Sequence, residues 1–441
     1  MRGRAVWGWM TVAALLLAAS VLMTSATAEK ASEKASNEAD ESGVYMLGVS
    51  EEGRQYWPRW RGPSGQGWVK GEGYPVTWSS SENVLWKTEV PGAGNSSPIV
   101  WGDYIFLTSA YEGGERRAIL AFERSDGSLA WEAFAPTDPK LARPYPKNGF
   151  ASSTPVTDGE RVYAYLGGHG LMAVDFEGKI AWTAGVGDVS RAFHGTAGSP
   201  LLYKDKLILY QDLPENAFIA AFNKHSGEEI WRTPREGRVG WGTPVAVRAG
   251  DRDEIVVSSN RAVNAYDPET GSELWTCRGN TFEVIPTPVV GHGLLFCSSG
   301  RAGPTLAIRP GGSGDVTETH LEWRAAKGSP FVPSPILHGD LLYMINDMLS
   351  ILTVYEAESG DLVYQARMGK PVREGFSSSP VAVGDKLFFT NDEGQTFVVQ
   401  AGREYNLLHT NEMGEPILAS PALVDGTWYW RTQNHLIAIG N

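Results

Sequence analysis

Charge and cysteine are both scarce in this chain. Only 20% of its 441 residues are charged, and Asp plus Glu outnumber Lys plus Arg by 51 to 38, a formal net charge of −13. A broad basic surface is therefore excluded, and with it the electrostatic footprint of nucleic-acid binding or of an anionic membrane surface. There are only two cysteines, Cys277 and Cys297. They provide no C-x-x-C-H haem attachment and no zinc cage, which would need histidines at ligand spacing. The pair either closes one disulfide or stays as two buried thiols in separate strands; the second is our reading, because a disulfide demands specific geometry. H-E-x-x-H, G-x-S-x-G and a phosphate-binding loop with its Lys are also missing. The eight His residues are scattered. Composition and motifs thus nominate no catalytic residue, no metal-ligand set and no resident cofactor.

A long apolar run occurs at Thr11–Met23, short for a membrane span. Arg2 and Arg4 precede it and Ala26-Thr27-Ala28 follows, which reads as a secretory signal over 1–28. The other reading is an uncleaved anchor, lengthened by Trp7, Trp9 and Met10. With no Cys nearby, lipid attachment is chemically ruled out there. The expectation is an exported protein, periplasmic or extracellular, with no stable membrane insertion once the signal is removed. Residues 29–55 open with EKASEKASNEADESG, too polar to bury a core, and are expected to be a disordered linker. The remaining 56–441 are expected to form one repeat domain.

Its frame is set by proline. Pro98, Pro155, Pro200, Pro244, Pro288, Pro335, Pro380 and Pro421 each follow a small residue and precede an apolar run. A period of about 40–50 residues in a strand-rich chain marks a β-propeller with one four-stranded blade per repeat. Between the prolines, Gly-Asp and Asp-Gly turns such as 102–103 and 126–127 separate short runs of β-branched and aromatic residues. The fold expected is all-β: an eight-bladed propeller of four-stranded antiparallel blades. The last repeat, from Ser420, stops before its fourth strand. NVLWKTEV at 83–90 can supply it and close the ring, leaving no open edge.

The outer half of each repeat carries a pattern. Residues 265–275 read A-Y-D-P-E-T-G-S-E-L-W, 121–131 read A-F-E-R-S-D-G-S-L-A-W, and 221–231 read A-F-N-K-H-S-G-E-E-I-W. This resembles the tryptophan-docking repeat of quinoprotein-type propellers, the family of PQQ (pyrroloquinoline quinone)-dependent alcohol dehydrogenases and of BamB-like assembly propellers. WPRWRG at 57–62 and the lengthened RPGGSGDVTETHLEW at 309–323 resemble exported bacterial PQQ-like repeat proteins. The resemblance implies docking between blades by Trp86, Trp131, Trp182, Trp231, Trp275, Trp323 and Tyr364, with Leu408 near that position in the seventh repeat. These residues are structural and say nothing about chemistry.

Function must then be read from loops. In such a ring, the loops leading into the inner strands and those joining second to third strands share one face, around the channel mouth. They supply Lys147, Arg191, His194, Trp241, Arg261, Arg301, Asn346, Asp347, Arg373, Asn391 and Asp392 as candidate ligand-binding residues. Converging cations would hold a carboxylate, phosphate or polyanionic glycan. Taken singly, the same residues are what eight loops would carry anyway. The resemblance implies PQQ and calcium for a dehydrogenase, with Trp241 available to stack and the Asn-Asp pairs 346–347 and 391–392 available to ligate calcium. The family's adjacent Cys pair is absent, however, and Asn-Asp is ordinary turn chemistry. Three readings stand: a non-catalytic exported scaffold binding a protein or extended polymer, a PQQ- and calcium-dependent dehydrogenase, and a glycan-binding propeller. The first is the expectation.

Overall fold

The computed structural model describes residues 43–69, 71–136, 143–236, 239–301 and 303–441; the expected signal and residues 29–42 lie outside them. Eight sheets, each with four antiparallel strands, form an eight-bladed β-propeller. The first blade runs through Ile99–Trp101, Tyr104–Tyr111, Arg116–Glu123 and Leu129–Phe134, innermost strand first. In the last, Ala422–Val424, Thr427–Arg431 and His435–Ile439 are completed by Val84–Glu89, which lies antiparallel on His435–Ile439. The ring is thus closed by the strand that the sequence offered. Among the described residues no helix is long and apolar enough to cross a membrane.

The recurring proline marks a hydrogen-bonded belt. The small residue before it is Ser or Thr, and its hydroxyl accepts the backbone N–H of the equivalent residue one blade earlier. Ser97 donates to Thr154 at 3.0 Å, Thr154 to Ser199 at 3.0 Å and Ser199 to Thr243 at 3.2 Å. Thr287 to Ser334, Ser334 to Ser379 and Ser379 to Ser420 follow at 2.9 Å each, and Ser420 returns to Ser97 at 3.0 Å. Proline fixes φ and brings no donor of its own, so the hydroxyl and N–H beside it are held in one orientation around the ring.

The core lies in the seams between blades. One buried cluster joins Val156, Tyr163 and Ala173 of the second blade to Leu207, Leu209 and Phe218 of the third. Each docking side chain faces a small residue across its hairpin, as Trp131 faces Ala121 and Trp231 faces Ala221, with a register shift just beyond. The indole N–H of Trp86, Trp131, Trp182, Trp231 and Trp323 donates to a backbone carbonyl of the next blade: Arg124, Phe176, Lys224, Pro268 and Ala357. The ring lies flat on the glycine of that blade's turn. At Gly127 (φ 74°) a Cβ would sit 2.4 Å from Trp86, so both backbone conformation and contact require glycine.

Three details differ from the repeat pattern. Trp275 has no such turn ahead of it, because the insertion at 309–320 replaces it. Gly314–Asp315 instead pairs parallel with Trp275 and Thr276, and the indole N–H meets the buried Glu254 carboxylate at 2.8 Å. In the sixth repeat Tyr364 faces Val354, but its buried hydroxyl finds no hydrogen-bond partner. In the seventh the docking position belongs to His409, opposite Val398, rather than to Leu408.

The larger difference lies at the N-terminal end, where residues 43–55 of the expected linker 29–55 hold a strand, Val44–Met46, and a short helical turn, Glu52–Gln55. Val44–Met46 pairs antiparallel with the inner strand Val245–Ala249. The chain then enters the central channel. Trp57 exchanges backbone hydrogen bonds with Val100, Pro58 accepts from Thr157, and Trp68–Val69 pairs with Val381–Val383. Trp60 donates to Thr287 of the belt at 3.2 Å. Arg59 and Arg61 are buried and answered by carbonyls rather than carboxylates: Leu47 and Pro63 at 2.9 and 3.0 Å, Gln66 and Pro335 at 2.8 Å each. Burial pulls their guanidinium pKa values down, to about 10 and about 9. The channel is therefore filled from the face opposite the mouth.

Candidate functional site

The position three residues before each belt proline recurs at the floor of the mouth. Asn95, Ser152, Ala197, Trp241, Ile285, Val332, Ser377 and Leu418, one per blade, all line a cavity of about 190 Å³. The inner strands fan out from the belt, so one residue per blade points to the common axis just above it. The floor is lopsided. Its arc from Ala197 to Val332 is apolar, and the polar side chains fall on the other side.

Around this floor stand Lys147, His194, Trp241 and Arg301 from the sequence set, together with Tyr145, Glu283, Phe331 and Glu374. Lys147 reaches Asp392 at 2.6 Å and donates to the Glu374 carbonyl. Arg301 lies between Glu283 at 3.3 Å and Glu374 at 3.6 Å, its guanidinium 5.0 Å above the Phe331 ring. Trp241 is fixed by its N–H to the Gly195 carbonyl at 2.9 Å, and His194 packs edge-on to Tyr145 with ring centroids 5.0 Å apart. Lys147, Arg373, Asn391 and Asp392 line an adjoining hollow of about 220 Å³.

Asp347 has no exposed surface; one carboxylate oxygen accepts the Phe331 N–H at 2.7 Å and the other has no hydrogen-bond partner. Burial pushes its pKa up to about 7, against the pull of backbone N–H groups and of the Lys147 charge. Burial also raises Asp392, opposed by Lys147. Asn346 donates to the Ser329 carbonyl at 2.9 Å. Asn391 is spent on its own turn, accepting the Gln395 N–H at 2.8 Å. Arg191 pairs with Glu215 at 2.5 Å on an exposed loop, and Arg261 is exposed with φ 72°; neither lines the cavity. The cations therefore do not converge on open space. The ones that reach the mouth are already neutralised by its carboxylates.

The sequence reading passed over Tyr145, Ile285, Phe331, Val332 and Leu418 because it sought polar loop residues. The repeat offered a better signal in the third residue before each proline. Five large apolar side chains on loops of this face are also exposed: Tyr145, Phe193, Phe282, Leu349 and Val372, with Phe282 and Leu349 at 55% and 56%.

The oxygens here that could serve a calcium ion belong to Asn346, Asp347 and Asp392, each of which has one buried oxygen without a hydrogen-bond partner. The mouth cavity and the hollow beside it, about 190 and 220 Å³, are each smaller than the roughly 300–1,000 Å³ usual for small-molecule sites, and among the described residues no three or more His, Cys, Asp or Glu side chains cluster as a metal site. Cys277 and Cys297 are free buried thiols in neighbouring blades, raised by burial, Cys277 to about 11.

Comparison with known proteins adds the following. The model of the family described as outer membrane protein assembly factor BamB matches residues 68–187 and 215–440. No curated protein matches the sequence significantly. Among solved structures, BamB from Moraxella catarrhalis superposes with a TM-score of 0.58 at 14% identity, covering 80% of this chain and 96% of that one. Quinohemoprotein alcohol dehydrogenase from Comamonas testosteroni gives 0.62 at 11%, covering 87% and 80%. A europium-containing methanol dehydrogenase gives 0.62 at 12%, covering 88% and 90%. At such identities these structures share the fold and nothing finer.

Proposed function

This chain belongs to the BamB-described family of PQQ-like propellers, and from that premise we propose that it is an exported, envelope-associated, non-catalytic scaffold. Its partner is a protein or extended polymer gripped at the channel mouth. One observation carries the reading. The charged groups of the mouth are paired with one another beneath a rim of exposed apolar side chains, which suits a surface that is covered better than a pocket that reacts. Exposed apolar residues grouped on one face mark interaction sites, while a catalytic site keeps an acid, base or nucleophile free to meet substrate. The exported location follows the expected signal over 1–28 and the family.

Two measurements test this. Titration of the purified protein with PQQ, with and without calcium, is expected to give no binding; tight calcium-dependent binding would replace the scaffold by a dehydrogenase. Partners retained from an envelope extract are expected to be lost with Phe282→Asp and with Trp241→Ala. Retention by both variants would move the interaction off the mouth.

A further inference from the structure

A second and larger cavity, of about 480 Å³, opens on the face opposite the mouth. No repeat builds it alone. One wall is drawn from residues 48–69 and 71–74 of the non-repeating stretch and the other is the Leu423–Gly426 turn of the last blade. The segment is not needed to close the ring, since Val84–Glu89 does that, yet it is pinned by Trp60, Arg59 and Arg61 inside the channel. Its far part is thereby held rigidly against the last blade, with a hollow between them.

Three half-buried aromatic rings line that hollow: Tyr56, Trp68 and Tyr74. Tyr56 is held 5.1 Å from Trp101, and Tyr74 edge-on to Trp428 at 5.9 Å, so each keeps another part of its ring for a ligand. Between them lie Arg54, Gln55 and Glu72. Among the described residues none of these three side chains makes a hydrogen bond or ion pair. Asp425, at the edge, is already held by Arg124 at 2.6 Å.

We infer that this cavity binds a saccharide of about two rings. A wholly apolar ligand would strand the guanidinium, amide and carboxylate without partners. A phosphorylated one would meet Glu72 and Asp425 as well as Arg54, with no excess of described positive charge to hold it. A sugar satisfies both kinds of lining. Its C–H faces lie on aromatic rings, whose faces are electron-rich, and its hydroxyls donate to Glu72 and accept from Arg54 while Gln55 does either. The volume falls within the roughly 300–1,000 Å³ usual for small-molecule sites. This site is independent of the mouth, and its ligand does not depend on the scaffold reading.

The test is calorimetric titration and saturation-transfer NMR of the whole protein with four disaccharides: cellobiose, maltose, lactose and N,N′-diacetylchitobiose. At least one is expected to bind at millimolar concentration, with transfer to its ring C–H protons. Arg54→Ala and Glu72→Gln are each expected to weaken binding by about tenfold or more. Glu72 is exposed and Arg54 half-buried, so both variants should fold, which circular dichroism confirms. Trp241→Ala, at the other face, is expected to leave affinity unchanged. The inference is overturned if none of the four binds. It is equally overturned if binding survives both Arg54→Ala and Glu72→Gln, or disappears in Trp241→Ala alone, which would place the sugar at the mouth.

Discussion

Asp347 combines complete burial, one unpartnered oxygen and a nearby ammonium group, and its ionisation therefore acts on the fold. Its folded pKa of about 7 lies above the unfolded value of about 3.9. Between those two values the folded state holds more protons than the unfolded chain, so this group lowers stability as pH rises from about 4 to about 7. Below that window it contributes no penalty, and above it the penalty is constant. Asp347→Asn keeps the shape and the acceptor for the Phe331 N–H but removes the titration. Denaturant midpoints measured from pH 4 to 8 should fall less steeply with pH in the variant than in the parent. Parallel curves would mean that the carboxyl is hydrated and ionised throughout.

At the scale of elements, the docking side chains show how one unit is swapped for another. Where a repeat keeps the A-x-D-x-x-T-G turn, the tryptophan lies on the next blade's glycine. Where the insertion removes that turn, Gly314–Asp315 covers Trp275 from outside and Val316 enters the same buried cluster. Trp275 has no exposure, whereas Trp231 and Trp323 keep some. Trp275→Ala should therefore lower stability by about 3–5 kcal/mol, the cost of deleting a fully buried aromatic. Equilibrium denaturation measures it, and a loss below about 1 kcal/mol would mean that the insertion collapses into the space. The blades were legible because every repeat restates the same proline, and most restate the same turn and docking tryptophan. The plug was not. Val44 and Met46 alternate with half-buried Tyr45 as a strand should, but they follow a strongly polar stretch and find their partner strand some 200 residues away in the chain. At the mouth the polar residues were legible and their pairing was not, because whether Lys147 meets Asp392 depends on how two distant loops fold over the floor.

For the whole molecule, the closed ring makes one seam unlike the others. Seven blades are built from consecutive strands, but the last takes its outer strand, Val84–Glu89, from the other end of the chain, so closure rests on the pairing of that strand with His435–Ile439, on the belt bond from Ser420 to Ser97 and on a polar clamp. In that clamp Glu415 meets Lys87 at 2.5 Å, Thr432 at 2.7 Å and His435 at 2.8 Å. Burial pushes the Glu415 pKa up, but these hydrogen bonds outweigh it and hold the group at about 2. A depressed carboxylate contributes stability that is present above its unfolded pKa of about 4.3 and lost as pH falls toward the folded value. Acid should therefore loosen the closing seam before the others. Trp86→Ala attacks the same seam from the side, because Trp86 spans from the closing strand to the Gly127 turn of the first blade. Hydrogen exchange should then show protection lost first in Val84–Glu89 and His435–Ile439, with the remaining blades following once two strand edges are exposed. Trp182→Ala removes an equivalent contact between two blades that are each built from consecutive strands and should leave the closing strand as protected as in the parent. If the two variants give the same exchange pattern, closure is no weaker than any other seam, and the ring opens as a unit.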